Sequence, residues 1–160
     1  PMGSGKSKIG RILSEKLSIS LFDIDKEIEK DLNMSITEIF ASKGEIFFRN
    51  TETDYLIKTK GLRDCIVSTG GGVIEEIKNL EFLKKEANVV FLNCSVESQY
   101  ENTKNSAKRP LLLTNDPKLT LQTLYEKRFD SYKKVSKLEL LSDSMSNDEI
   151  ANKIINHFNV

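Results

Sequence analysis

The sequence predicts an α/β fold in which a parallel β-sheet carries helices on both faces. Three observations lead there. Strand-like runs such as "CIVST" (Cys65 to Thr69) and "NVVFLNC" (Asn88 to Cys94) are largely apolar rather than alternating, as strands covered on both faces must be. Stretches with helical spacing of apolar residues separate them, so strand and helix alternate along the chain. The third is "GSGKS" (Gly3 to Ser7), a glycine-rich turn running straight into a helical pattern.

Each element has its own signal. Ile9, Ile12, Leu13 and Leu17 predict a helix directly after Lys6 and Ser7. "ISLF" (Ile19 to Phe22) predicts a short buried strand ending at "DID". A helix over Lys26 to about Leu32 follows, then one in "SITEIFASKG", where Ser35 and Glu38 have capping-box spacing and Gly44 is a stop. A longer helix is expected from Glu45 to Lys60. The strand at Cys65 ends in Gly70, Gly71 and Gly72, and a helix over Glu76 to Glu86 leads to the run at Asn88. From Asn102 to Pro117 the chain turns polar around Pro110, which predicts a mobile loop. A helix from Leu119 to Lys134, a weak strand at Leu138 to Leu141 and a helix capped by Ser146 and Glu149, running to about Phe158, complete the chain. No repeat or low-complexity linker divides it, so residues 1–160 are expected to form a single domain.

Composition narrows the partners. Lysine plus arginine (24) balance aspartate plus glutamate (24), which argues against nucleic acid or an anionic membrane as partner. No apolar run approaches the ~20 residues of a membrane span, and no signal-peptide pattern is present. Cys65 and Cys94 form no C-x-x-C and sit in apolar runs, as buried, reduced thiols of a cytoplasmic protein would. The basic residues are mostly lysine, so the arginines (Arg11, Arg49, Arg63, Arg109, Arg128) stand out as candidates for specific contacts. His157, the lone histidine, is expected to be structural or solvent-exposed.

The chemistry-bearing residues form several groups. In "PMGSGKS", glycines let backbone N–H groups turn onto a phosphate, and the following helix adds its positive end. Lys6 would reach the β- and γ-phosphates and Ser7 would offer a hydroxyl to Mg²⁺. Asp23 and Asp25 in "FDID" lie at the C-terminal end of a strand, where open α/β sheets bind ligands, and in an extended chain would point the same way. One carboxylate could hold Mg²⁺ while the other takes a proton from an attacking hydroxyl; a turn with a helix cap would use the same letters. Arg49 and Glu52 have the spacing of a surface ion pair, but beside Phe47 and Phe48 the arginine could be held at the rim of an apolar pocket to bind a carboxylate. Three consecutive glycines at 70–72 would let backbone approach a ligand closely. Arg109 ("KRPLL") and Arg128 ("EKRFDSY") are either solvated charges or anion-binding groups, Arg109 on a loop able to close over phosphate.

Together these pieces resemble shikimate kinase, of the nucleoside-monophosphate-kinase-like branch of P-loop proteins. The likeness is strongest across "RNTETDYL" and "IVSTGGGVI", and "GSGKS", "FDID", "GEIFFR", "KRPLL" and "KRFDSY" stand in family order. It implies transfer of the γ-phosphoryl group of ATP to the 3-hydroxyl of shikimate, with Mg²⁺, by a monomer. It also implies a sheet of order 2-3-1-4-5. Met2, Gly3, Ser4, Gly5, Lys6 and Ser7 would form the phosphate loop that binds ATP, with Lys6 on the phosphates. Ser7 and Asp23 would hold the metal, with Ser68 near that shell. Asp25 would bond the substrate hydroxyl. Arg49 and Arg128 would grip the shikimate carboxylate, Glu52 would orient the site, Phe40 and Phe48 would line its apolar side, and Gly70, Gly71 and Gly72 would meet ring hydroxyls. Arg109 would be the arginine of a lid over residues 102–117, and residues 26–60 the substrate-binding helices. Where many relatives carry an adenine-stacking arginine, this chain has Asn102, with Lys104 nearby.

The first glycine of the phosphate-loop pattern would fall one position before Pro1, so a further 8–12 or so residues, a strand of usual length plus that glycine, are expected ahead of it. A gluconate-kinase-like enzyme shares the loop and fold but would not need the Arg-x-x-Glu and Ser-x-Gly-Gly-Gly pair. A non-catalytic nucleotide-binding module would be expected to lose Lys6, Asp25 or an arginine, and all are present.

Overall fold

The computed structural model describes residues 1–106 and 109–160. Helix α1 (Lys6–Leu17) starts at Gly5, whose φ of 84° suits glycine. It feeds β1 (Ser20–Asp23), which passes directly into α2 (Ile24–Leu32). α3 (Ile36–Lys58) opens with the expected capping box between Ser35 and Glu38. Gly44, at φ 82° and ψ 168°, breaks the helical backbone as expected, so α3 is the two expected helices abutting at a kink. β2 (Cys65–Ser68), α4 (Ile77–Glu86) and β3 (Val90–Asn93) follow.

The stretch after β3 departs from expectation. Residues 96–103 form a helix, α5 (Val96–Thr103), capped by Ser95, whose hydroxyl accepts from the Ser98 amide at 3.2 Å. Its fully buried positions, Gln99 and Thr103, are polar, and only Val96 and Tyr100 pack on the core, too short an apolar pattern to announce a helix. Pro110 to Leu112 form a short 3₁₀ turn, and two residues of the expected loop, 107 and 108, lie outside the described residues. α6 (Pro117–Val135), β4 (Leu138–Leu141) and α7 (Asn147–Phe158) complete the chain. His157 is exposed, edge-on to Phe158. No described helix is long and apolar enough to cross a membrane. Cys65 and Cys94 are both free.

The strands are parallel, as their apolar character requires. β1 pairs with β2 from Ser20↔Cys65 to Asp23↔Ser68, and β3 with β4 from Val90↔Leu138 to Asn93↔Leu141. Among the described residues β2 and β3 share no ladder. Between them lies a largely apolar cavity of about 660 Å³, lined by Ile66, Val67, Val90 and Leu92 of the strands and Ile9 and Leu13 of α1. Two main clusters make the core. Ile24, Ile28, Ile39, Phe48 and Leu56 belong to one, under α2 and α3, and α1, α7, β3 and β4 contribute Ile9, Leu13, Leu92, Leu140 and Ile150 to the other.

Candidate active site

The C-terminal ends of β1 and β2 and the start of α1 converge. Register places Asp23 beside Ser68, and the Ser7 hydroxyl at the first turn of α1 donates to Asp23 Oδ2 at 2.9 Å and lies 3.4 Å from Ser68 Oγ. Asp23 is buried, and its other oxygen accepts from the Lys26 amide at 3.4 Å, capping α2. Asp23 and Asp25 are therefore not two residues of one extended strand: Asp23 caps the helix and Asp25 sits in its first turn. The helix cap and the site are built from the same residues.

Asp25 faces a small cleft of about 60 Å³, together with Met2, Phe40, Phe48, Arg49, Glu52, the three glycines, Arg109 and Arg128. Among the described residues, three buried polar atoms of this lining have no hydrogen-bond partner: Asp25 Oδ1, Glu52 Oε1 and Arg109 Nε. Buried polar groups are ordinarily satisfied, so two acceptors and a donor left unmatched around one cleft describe a polar ligand. Burial, then the neighbouring Asp23, pushes the Asp25 carboxyl above its usual range. Burial likewise raises Glu52 to about 7, outweighing Arg49.

Arg49 is fixed from below. Its Nη1 donates to Glu52 at 2.7 Å, its Nε and Nη2 reach Glu45 at 3.2 and 3.0 Å, and the guanidinium lies over the Phe48 ring. Phe48 packs in turn on Phe40, ring centroids 5.0 Å apart. The glycine run passes so close that a Cβ on Gly72 would lie 2.4 Å from Arg49 Cζ, and one on Gly70 2.3 Å from Glu52 Oε1. A side chain at either position would have to displace the end of Arg49 or Glu52. Gly71 accepts a 2.5 Å hydrogen bond from the Tyr132 hydroxyl, which ties the run to α6.

Above the cleft stands the loop Met2 to Ser7. Gly3 and Gly5 have positive φ, and a side chain on Gly3 would strike the Gln99 carbonyl of α5. Ser4, expected among the residues that meet ATP, turns its side chain the other way. It is buried, outside the lining of the cleft, and its hydroxyl donates to the Pro1 carbonyl at 3.1 Å. That hydroxyl braces the loop from within, so what Ser4 can offer a phosphate is its backbone N–H. The Lys6 amine also donates to the Pro1 carbonyl. Burial, reinforced by the charge of Arg109, lowers its pKa to about 8. Three of the five arginines, Arg49, Arg109 and Arg128, line the cleft, whereas Arg11 and Arg63 are exposed.

Two residues at the cleft's edge were not anticipated. Glu75 bonds Arg128 and Lys127, and Tyr132 bonds the glycine run. Neither has a local sequence signal, because their partners are more than fifty residues away.

Known proteins bear on this geometry in three ways. A curated shikimate kinase from Marinomonas sp. is 40% identical over 157 residues, covering 97% of this chain and 86% of the relative. Among solved structures, shikimate kinase from Acinetobacter baumannii in complex with shikimate superposes with a TM-score of 0.95 at 35% identity, covering 99% of this chain and 88% of that one. A deoxyadenosine kinase from M. mycoides, covered to 96% by all of this chain, has a TM-score of 0.63 at 16% identity and shares the fold alone. The family described as shikimate kinase matches residues 2–159, and with the relatives it establishes that this chain belongs to the shikimate kinase family.

Proposed function

We propose that this protein transfers the γ-phosphoryl group of ATP to the 3-hydroxyl of shikimate, giving shikimate 3-phosphate and ADP on the route to chorismate and the aromatic amino acids. The observation that carries the reading is the cleft itself: unpartnered Asp25, Glu52 and Arg109 atoms, with two further arginines, directly under a phosphate loop. Arg49 and Arg128 grip the substrate carboxylate from two sides. Phe40 and Phe48 take its apolar face, and the backbone of Gly70 to Gly72 its ring hydroxyls. The backbone of Met2 to Ser7, Ser4 included, cradles the phosphates of ATP.

With the substrate so held, Asp25 Oδ1 accepts the hydroxyl proton as the oxygen bonds to the γ-phosphorus and the bond from phosphorus to the ADP oxygen breaks. Lys6 and Arg109 offset the charge on the transferring group. Burial raises the affinity of Asp25 for that proton, which suits an acceptor. Residues 102–117, with Arg109, serve as the lid, and residues 26–60 as the substrate-binding helices.

Mg²⁺ fits the donor set. Ser7 and Asp23 offer two adjacent oxygens, and among the described residues no group of three or more His, Cys, Asp or Glu side chains could hold a metal. This suits an ion that keeps waters and phosphate oxygens as its other ligands. When bound, it would neutralise charge on the β- and γ-phosphates. The same reading has the chain work as a cytoplasmic monomer on a small molecule, with no nucleic-acid or membrane partner, in keeping with its zero net charge and free cysteines.

A coupled assay of ADP release with ATP and Mg²⁺ tests the reading. Turnover with shikimate and not gluconate is expected. Turnover with gluconate alone, or ATP hydrolysis indifferent to shikimate, would overturn it.

A further inference from the structure

We propose that Glu75 is a positioning residue that holds the Arg128 guanidinium in the orientation that receives the substrate carboxylate. This rests on the carboxylate grip assigned above to Arg128.

Glu75 ends the short 3₁₀ turn Val73–Glu75, directly after the glycine run. Its Oε1 accepts from Arg128 Nε at 2.9 Å and also from Nη2, while its Oε2 accepts from Lys127 at 2.5 Å. Arg128 is almost wholly buried and lines the cleft, whereas Glu75 lies behind it and does not. The carboxylate therefore occupies the Nε–Nη2 edge from outside, and Nη1 is the nitrogen it leaves unengaged. Tyr132, one turn further along α6, fastens the same helix to Gly71. Three contacts thus lock α6 onto the segment carrying the glycines: Tyr132 to the Gly71 carbonyl, and Lys127 and Arg128 to the Glu75 carboxylate.

A second role for Glu75 would be competition, drawing Arg128 away from substrate. The geometry disfavours it, because Arg128 keeps its place in the cleft lining while paired. Charge agrees: Lys127 and Arg128 outweigh the single carboxylate, so the group still attracts an anion. Although burial pushes the Glu75 carboxyl upward, hydrogen bonds from Lys127 and Arg128 hold it below the usual range, so it is ionised at neutral pH. A long side chain already held in place loses less freedom on binding, and that saving appears as affinity.

The test measures KM for shikimate, KM for ATP and kcat in Glu75→Ala, Glu75→Gln and Arg128→Ala, with the neutral methyl ester of shikimate as a second substrate. Glu75→Ala should raise KM for shikimate by about tenfold, with KM for ATP and kcat within about twofold. Its activity on the methyl ester should hardly change. Glu75→Gln keeps an oxygen acceptor and should recover part of the loss. An unchanged or lowered KM for shikimate in Glu75→Ala, or an equal loss on the ester or with ATP, would overturn the proposal. If Glu75→Ala does not fold, Glu75→Gln decides alone: a rise of about two- to threefold supports the role and no change rejects it. Arg128→Ala separates the two layers. An unchanged KM for shikimate there refutes the carboxylate grip itself, whereas a rise there without one in the Glu75 variants refutes only the positioning role.

Discussion

Burial moves the two groups nearest the chemistry in opposite directions. It lowers Lys6 to about 8, with help from Arg109, and raises Asp25, with help from Asp23. Lys6 acts as a cation, so the sign follows: the charged form persists below about pH 8 and is lost above it, well before a free lysine would deprotonate. Asp25 and Asp23 oppose that loss and Arg109 promotes it. kcat/KM for ATP should therefore fall as pH rises through about 8, whereas kcat at saturating ATP, with phosphate beside the amine, should persist to higher pH. A profile of kcat/KM flat to pH 10 or so would show that Lys6 does not titrate there. Asp25→Asn keeps the shape and removes the carboxylate proposed to accept the proton. It should lower kcat by roughly 10²–10⁴-fold while shikimate still binds, measured by equilibrium titration. Near-normal turnover would reject the assigned role.

At the scale of elements, the role proposed for the glycine run rests on its close approach to Arg49 and Glu52 rather than on side chains of its own. In Gly72→Ala the new methyl would meet the tip of the Arg49 side chain, which can swing aside, rather than backbone. The protein should still fold, with a modest loss of thermal stability from the Arg49–Glu52 pair, while KM for shikimate rises by about tenfold or more. A large drop in melting temperature with KM unchanged would mean that the close approach serves packing alone. The same elements show what sequence could convey. The capping boxes at Ser35 and Ser146, the turn at Gly44 and the glycine run were legible because each is a local pattern with a local cause. α5 was not, because its apolar side is only Val96 and Tyr100, and its most buried residues, Gln99 and Thr103 against the phosphate loop, are polar. The extended reading of Asp23 and Asp25 failed for a related reason: a capping aspartate and a strand-end aspartate look alike until the following turn is seen. Within the phosphate loop the spacing told which residues form the turn but not that the Ser4 hydroxyl would be spent on Pro1. Glu75 and Tyr132 depend on contacts across more than fifty residues, where spacing carries no information.

Over the whole molecule, the two strand pairs are joined by helices and side chains rather than by a shared ladder. The cavity of about 660 Å³ between them leaves the facing edges of β2 and β3 without a hydrogen-bonded neighbour among the described residues. The slot is long, largely apolar and flanked by two parallel edges, which suits an extended β-branched segment. A synthetic apolar peptide of about six residues should raise the melting temperature and slow amide exchange in β2 and β3. No change in either at millimolar peptide would show that the slot does not accept a strand. The same slot bears on mechanical compressibility. Unfolding eliminates internal voids and so shrinks the system, and hydrostatic pressure favours the smaller state. Helix α1, which carries Lys6 and Ser7, and β2, which ends at Ser68 beside Asp23, border this slot, so pressure should lower activity at temperatures where the protein is otherwise folded. A segment seated between β2 and β3 would make it resistant.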